Sequence, residues 1–180
     1  LGSYDRRGVT MSVQSMSQPV LKAIKRKNMD VNRIKDIVAK ARKRNLNVYT
    51  EMILGLPEET VDSWKDGMCL LMETGQDSID VWLCQIFGQT EMNLNREKHG
   101  IKVVNAEDYV SFTKHNSEDY PIKEVIEIVN ETNTMTTEDI IEAYLFSWVV
   151  IMFHINGFSH YISTFHDYRK FYDNLKDYLD

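Results

Sequence analysis

Three short stretches place polar or conformationally free residues where apolar, β-branched runs end: Gln14-Ser15, Gly55-Leu-Pro-Glu58, and Gln85 through Thr90. Where parallel strands alternate with helices, ligands bind outside the C-terminal ends of the strands, so chemistry is expected at these three exits. Gln14 and Ser15 bring hydrogen-bonding groups, Gly55 allows close backbone approach, and Gly88-Gln89-Thr90 makes a turn rich in donors. Glu51 precedes Gly55 on the same run, as a carboxylate facing a substrate or as a polar residue at a sheet edge. Gly55 to Glu58 also reads simply as a strand-to-helix turn, with Glu58 and Glu59 complementing the positive end of the helix that follows.

Metal and thiol chemistry are thinly provided. Cys69 and Cys84 are not at ligand spacing. Cys69 lies among Met68, Leu70 and Leu71 and reads as a small buried residue, while Cys84 faces either a sheet interior or the core, with no base beside it. His154, His160 and His166 recur every six residues, which puts successive rings on opposite sides of a helix and argues against a three-histidine metal site.

The elements that position these residues follow from periodicity. Residues 8–15 alternate apolar Val9, Met11 and Val13 with polar Thr10, Ser12 and Gln14, as a strand with one greasy face does. Ser17 caps a short helix through about Lys27, with Pro19 in its first turn, and Asp30 caps another through Arg44. Residues 47–56 form a second strand, Pro57 opens the next helix, Gly75 stops it, and residues 78–87 form a third strand. This alternation is that of a parallel sheet wound with right-handed crossovers. Beyond Gly88, residues 89–105 read as a loop and short helix, 106–118 are polar and ambiguous, and 125–129 make one more strand after a turn at Pro121. Thr136 or Thr137 starts a helix running to Asn156 and ended by Gly157, and residues 161–179 carry an aromatic and leucine seam that packs against it. The division expected is residues 1–104 for the α/β part and 105–180 for a mainly helical extension.

Composition bounds the function classes. The chain has 180 residues, 43% of them apolar, and a net charge of −6, which argues against a general nucleic-acid or anionic-membrane binder. Residues 22–44 alone carry +8, leaving −14 elsewhere, and read as the solvated outer face of two helices. The rival reading is a non-catalytic α/β module that binds a partner or nucleic acid through that basic face; no aromatic residue is interleaved for stacking on bases. The apolar run 143–155, broken by Ser147 and His154, is shorter than the roughly 20 residues a membrane span needs. A reducing cytoplasm is the expected setting. The start Leu1-Gly2-Ser3 reads as that of a piece of something longer.

The chain resembles the radical S-adenosylmethionine (radical SAM) family, in the branch that often carries an N-terminal cobalamin-binding domain. Ser12-Val-Gln-Ser-Met with Val20 to Asn28 resembles that family's fourth strand and following helix, Ile53-Leu-Gly-Leu-Pro-Glu-Glu-Thr60 its fifth strand and turn, and Phe87-Gly-Gln-Thr-Glu-Met92 the exit of its sixth. The tail, with Glu131 to Met135 ahead of its long helix, resembles the branch's C-terminal extension.

The resemblance implies the C-terminal half of a partial (β/α)6 barrel of the TIM type, in a parent enzyme whose [4Fe-4S] cluster reductively cleaves S-adenosylmethionine to a 5′-deoxyadenosyl radical. It leaves open whether the parent also uses cobalamin, and implies the missing N-terminal half as partner, since the CxxxCxxC cluster loop has no counterpart here. By resemblance, Ser12 and Gln14 contact the ribose or methionine part of the cofactor. The family's GxIxGxxE pattern falls on Glu51, Ile53, Gly55 and Glu58, with Glu51 in place of the first glycine, and Gln85 to Phe87 contact the adenine. Glu51 and Cys84 are candidates to face substrate. The chain alone is expected to be inactive and to bind cofactor weakly. Its open sheet and all-round apolar helix point to a homo-oligomer.

Overall fold

The computed structural model describes residues 8–107 and 125–179, so the ambiguous polar stretch beyond residue 107 and the turn at Pro121 lie outside the described residues. Strands β1 (Val9–Gln14), β2 (Val48–Leu54) and β3 (Ser78–Leu83) form one parallel sheet in the order β1-β2-β3. Helices α1 (Gln18–Ala23) and α2 (Val31–Arg42) join β1 to β2, and α3 (Val61–Glu73) joins β2 to β3. On β2, Val48, Thr50, Met52 and Leu54 are buried while Tyr49, Glu51 and Ile53 on the other face are half-buried. The buried face meets Ile34, Val38 and Ala41 of α2 and Trp64, Met68 and Leu71 of α3. Each large apolar side chain fully buried there contributes roughly 1.5–3 kcal/mol.

Helix boundaries follow backbone chemistry more closely than periodicity suggests. The helix after Ser17 ends at Ala23 rather than Lys27, because Lys25 takes φ +55°, a left-handed angle that no α-helix continues through. Pro57 does not open α3. Glu58 takes φ +66°, and the helix starts at Val61 under a capping box in which Thr60 and Ser63 exchange side-chain and backbone hydrogen bonds. Asp30 caps α2 as expected, accepting from the Asn32 N–H at 2.8 Å, and Gly75 turns the chain after α3 at φ +79°.

The third strand, expected over residues 78–87, breaks at Cys84. The Cys84 N–H donates to the Leu54 carbonyl (2.8 Å), extending the parallel ladder, whereas its own carbonyl accepts from the Val129 N–H (2.9 Å). The chain therefore leaves for a second, antiparallel sheet, β4 (Gln85–Ile86), β6 (Val125–Glu131) and β5 (Lys102–Glu107), in the order β4-β6-β5. Strand β6 covers the residues expected to be extended. Strand β5 corrects the reading of residues 89–105 as loop and short helix; only α4 (Glu91–Leu94) is helical there, and pairing with β6 overrides a weak local signal.

Thr136 and Asp139 form a capping box that starts α5 (Thr137–Val149), after which the expected continuation to Asn156 widens into a π-helical turn, Val150–Ile155. Gly157, at φ +88°, ends it. The aromatic seam is split into α6 (His160–Ser163) and α7 (Tyr168–Leu179). Ile140, Ala143, Phe146, Val149 and Tyr172 join the same core as the sheet. Trp64 Nε1 donates to Ser147 Oγ at 2.8 Å, and Lys65 Nζ reaches Glu142 and Asp173 at 2.7 Å each, so the tail docks on α3.

The architecture is thus mixed α/β with a three-stranded parallel sheet that does not close: among the described residues, no strand pairs with the outer edges of β1 and β3. No helix among them is long and apolar enough to cross a membrane.

Candidate functional site

Strand β1 ends in a bulge between Ser12 and Gln14. Gln14 sits at φ +62°, and the Ser15 N–H donates back to the Val13 carbonyl at 2.8 Å, the i to i+2 bond of a γ-turn with a positive central angle. Such a conformation costs a non-glycine residue on the order of 1–3 kcal/mol and persists only where neighbours hold it. The neighbours are Asn28, whose side-chain amide donates to the Ser15 carbonyl (2.7 Å), and Glu59, which accepts from Ser15 Oγ (2.6 Å).

At the exit of β2, Gly55 takes φ +95°. An added Cβ would lie 3.4 Å from Val129 Cβ and 3.5 Å from Cys84 Cβ, so the backbone angle rather than space selects glycine. The left-handed Glu58 is exposed, with Oε1 3.9 Å from His99 Nδ1. Glu59 turns inward, 0% exposed, and accepts from both Ser15 and Ser63 hydroxyls. Burial raises its pKa above the ordinary carboxylate value, against the opposing pull of those two hydroxyls and the Thr60 N–H.

The face of the sheet turned away from the helices carries a polar row. Ser12 lies opposite Glu51, and Glu51 opposite Asp80, with the Ser12 hydroxyl donating to the Glu51 carboxylate. One step toward the strand ends, Ile53 lies opposite Trp82, which remains 49% exposed. Gln14, Ile53, Leu56 and Met92 line a cleft of about 540 Å³ at the strand exits, rimmed by Lys25 and Lys27. Arg26 donates to the Ser12 carbonyl, and Lys25 pairs with Glu91, holding that carboxylate below its ordinary range.

Ser12, Gln14 and Ile53 thus come together at or beside one cleft, with Gly55 in the turn directly beyond. Glu58 points instead to His99, while Gln85 and Phe87, the latter 62% exposed, are on β4 and the loop after it, outside that cleft's lining. Cys84 is buried among Val20, Leu56, Ile86 and Val129, and its thiol, donating toward Met92 Sδ at 3.7 Å, is pushed up to about 12 by burial. Cys69 is buried on α3, its thiol also raised to about 12, first by burial. His154 is buried with Nδ1 against Ser163 Oγ (3.0 Å) and Tyr172 Oη (2.8 Å), and among the described residues no group of three His, Cys, Asp or Glu side chains could hold a metal. Lys22, the charged residues of α2 from Arg33 to Arg42, and Lys43 just beyond it face solvent. Sequence reasoning missed the distinct role of Glu59. Adjacent glutamates look alike in a sequence, and only the left-handed angle at Glu58 decides which turns inward.

A parallel α/β sheet with its polar face open and a cleft at the strand exits defines the class. No protein-family model matches the chain. Two curated relatives do. The cobalamin-dependent radical SAM methyltransferase TokK of Streptomyces tokunonensis is 32% identical over 181 residues, covering 96% of this chain. A 2-(S-pantetheinyl)-carbapenam-3-carboxylate methyltransferase of Streptantibioticus cattleyicolor is 30% identical over the same length, again 96% of this chain. The chain spans about a quarter of the length of these relatives, 26% in both cases. It is homologous to part of these cobalamin-dependent radical SAM methyltransferases.

Proposed function

We propose that this chain is the C-terminal part of a radical SAM methyltransferase, in which residues 1–104 supply the second half of a partial (β/α)6 barrel and residues 105–180 a mainly helical extension that also carries β6. The observation that carries this reading is the convergence of Ser12, Gln14, Ile53 and Gly55, from two adjacent parallel strands, around one end of an open sheet.

The residues present fit S-adenosylmethionine. Gln14 and Ser12 offer side-chain hydrogen bonds to its ribose or methionine part and Ile53 an apolar surface for adenine; Gly55 makes the turn beyond that strand at φ +95°, and Gln85 to Phe87, at the neighbouring exit, would supply backbone and apolar contacts to the adenine. Glu51, on the open face beside Asp80, faces the substrate side. Glu58 terminates the turn. The residues present do not fit a [4Fe-4S] cluster, because the two cysteines are apart and both buried. In the parent that cluster supplies the electron for cofactor cleavage and cobalamin takes part in methyl transfer; both are held by residues outside those described. Alone, the chain binds S-adenosylmethionine weakly and does not cleave it.

The test is a titration of ¹⁵N-labelled chain with S-adenosylmethionine, followed by amide shifts. Saturable shifts centred on Gln14, Ile53 and Gly55 are expected; shifts centred elsewhere, or none at millimolar ligand, overturn the reading.

A further inference from the structure

We infer that Glu59 is a positioning residue of this cleft: its carboxylate, through Ser15, holds Gln14 in the left-handed turn that presents it to S-adenosylmethionine. The inference rests on the reading of the cleft proposed above.

Three observations carry it. The first is reach. Glu59 belongs to the segment between β2 and α3, yet it accepts a hydrogen bond from the hydroxyl of Ser15, 44 residues earlier, at 2.6 Å, so it ties together the exits of two adjacent strands. The second is saturation of the donors. Ser15 Oγ already accepts from the Ser17 N–H (3.1 Å), and Ser63 Oγ from the Thr60 N–H (3.0 Å). The Ser15 hydroxyl proton is directed to Glu59, the Ser63 hydroxyl donates to Glu59 and also lies 3.2 Å from the Thr60 carbonyl, and the groups around that carboxylate, two hydroxyls and the Thr60 N–H, are donors. A glutamine there would bring an amide N–H₂ against a donor.

The third is cost. A wholly buried carboxylate gives up its hydration, and an apolar side chain of similar size would fill the space without that loss. What the carboxylate adds is a directional hold on Ser15, next to Gln14, which with Lys25 is one of two non-glycine residues of the cleft lining that adopt a positive φ. Asn28 fixes the Ser15 carbonyl, so both ties hold Ser15, the last residue of the γ-turn, and leave the Gln14 side chain to the cleft.

The experiment compares Glu59→Gln, Ser15→Ala, Ser15→Thr and Gln14→Ala in the full chain, reading the S-adenosylmethionine dissociation constant by amide shifts and the melting temperature separately. Glu59→Gln and Ser15→Ala are each expected to weaken binding about tenfold, the loss of one charge-assisted hydrogen bond expressed at the ligand. Ser15→Thr restores it, and Ser15→Ala adds nothing on top of Gln14→Ala, because both act through one contact. Should Glu59→Gln fail to fold, Ser15→Ala decides. A lowered melting temperature with unchanged affinity in Ser15→Ala, while Gln14→Ala weakens binding, overturns the positioning role and leaves the cleft reading intact. Unchanged affinity in Gln14→Ala, or no binding by the unsubstituted chain, overturns both.

Discussion

Ser12 and Glu51 face each other across the β1–β2 ladder, and their side chains are joined by a hydrogen bond on the open side of the sheet. A carboxylate in the middle of a central strand, with Asp80 next in the row, serves no packing purpose there. Glu51→Ala is therefore expected to lower the unfolding free energy by no more than about 1.5 kcal/mol, the net worth of one hydrogen bond, while weakening S-adenosylmethionine or substrate binding several-fold. Urea denaturation and ligand titration on the same sample check both halves.

The buried Glu59 gives a signed pH dependence. Its pKa in the folded chain lies above the ordinary 4.5, chiefly through burial. Between those two values the native state holds the proton more tightly than the unfolded state, so this group makes stability fall as pH rises through that window. Glu59→Gln is expected to remove that component. Urea midpoints for both proteins from pH 4.5 upward measure it, and parallel pH profiles would show that the carboxylate is not perturbed.

Lys65 fastens the tail. Its side chain is 5% exposed, its ammonium pairs with Glu142 and Asp173, and it lies 5.2 Å from the centre of the Phe146 ring. Lys65→Met keeps the stem and removes the charge, at an expected cost of about 1.5–3 kcal/mol by chemical denaturation. Burial alone would raise the pKa of Asp173, but hydrogen bonds from Lys65 and Arg169 hold it below the ordinary 3.8. That stabilisation is present above 3.8 and lost as pH falls through the lowered value, so acid unfolding should begin at higher pH in Lys65→Met.

Both thiols are buried and raised to about 12, so neither is a thiolate at neutral pH. Ellman's reagent is expected to react slowly with the native chain at about pH 8 and quickly with two thiols after urea. Anaerobic iron and sulfide reconstitution of the chain is expected to give no stoichiometric cluster; bound iron with a visible charge-transfer band would overturn this.

On α5, Ile141, Tyr144, Leu145 and Trp148 form an exposed apolar stripe opposite the buried one. A contiguous stripe of this kind marks a surface that another protein surface covers. Light scattering is expected to find the chain larger than its 21.1 kDa monomer at high micromolar concentration, and Trp148→Glu to return it to monomer. A monodisperse parent chain of monomer size would defeat the expectation.

Much of the parallel sheet was legible because its three strands and α2 and α3 each follow one period: Met11 and Val13 against Thr10 and Ser12, Ile34, Val38 and Ala41 along one stripe. What was not legible depends on pairing between distant segments. Nothing local to Cys84 announces that its N–H serves one sheet and its carbonyl another, because the partner of that carbonyl is Val129. β5 has an undistinguished sequence and becomes a strand by pairing with β6. At the site, sequence placed polar residues at strand ends; the γ-turn at Gln14 and the inward turn of Glu59 depend on backbone angles that side-chain type does not reveal.

The fastening of the tail to α3 bears on how this polypeptide comes off the ribosome. Trp64 finds its hydrogen-bond partner 83 residues later, in Ser147, and Lys65 its second carboxylate 108 residues later, in Asp173. Until those residues have been synthesised, the face of α3 carrying a large indole and an ammonium stays bare, while the strands on either side of it are already able to pair. The nascent chain thus passes through an interval with a formed sheet and an unsealed helix, the period in which chaperones have most to hold. A truncation removing α5 through α7 would freeze the chain in that state, and its expected mark is aggregation during expression rather than a modest loss of melting temperature.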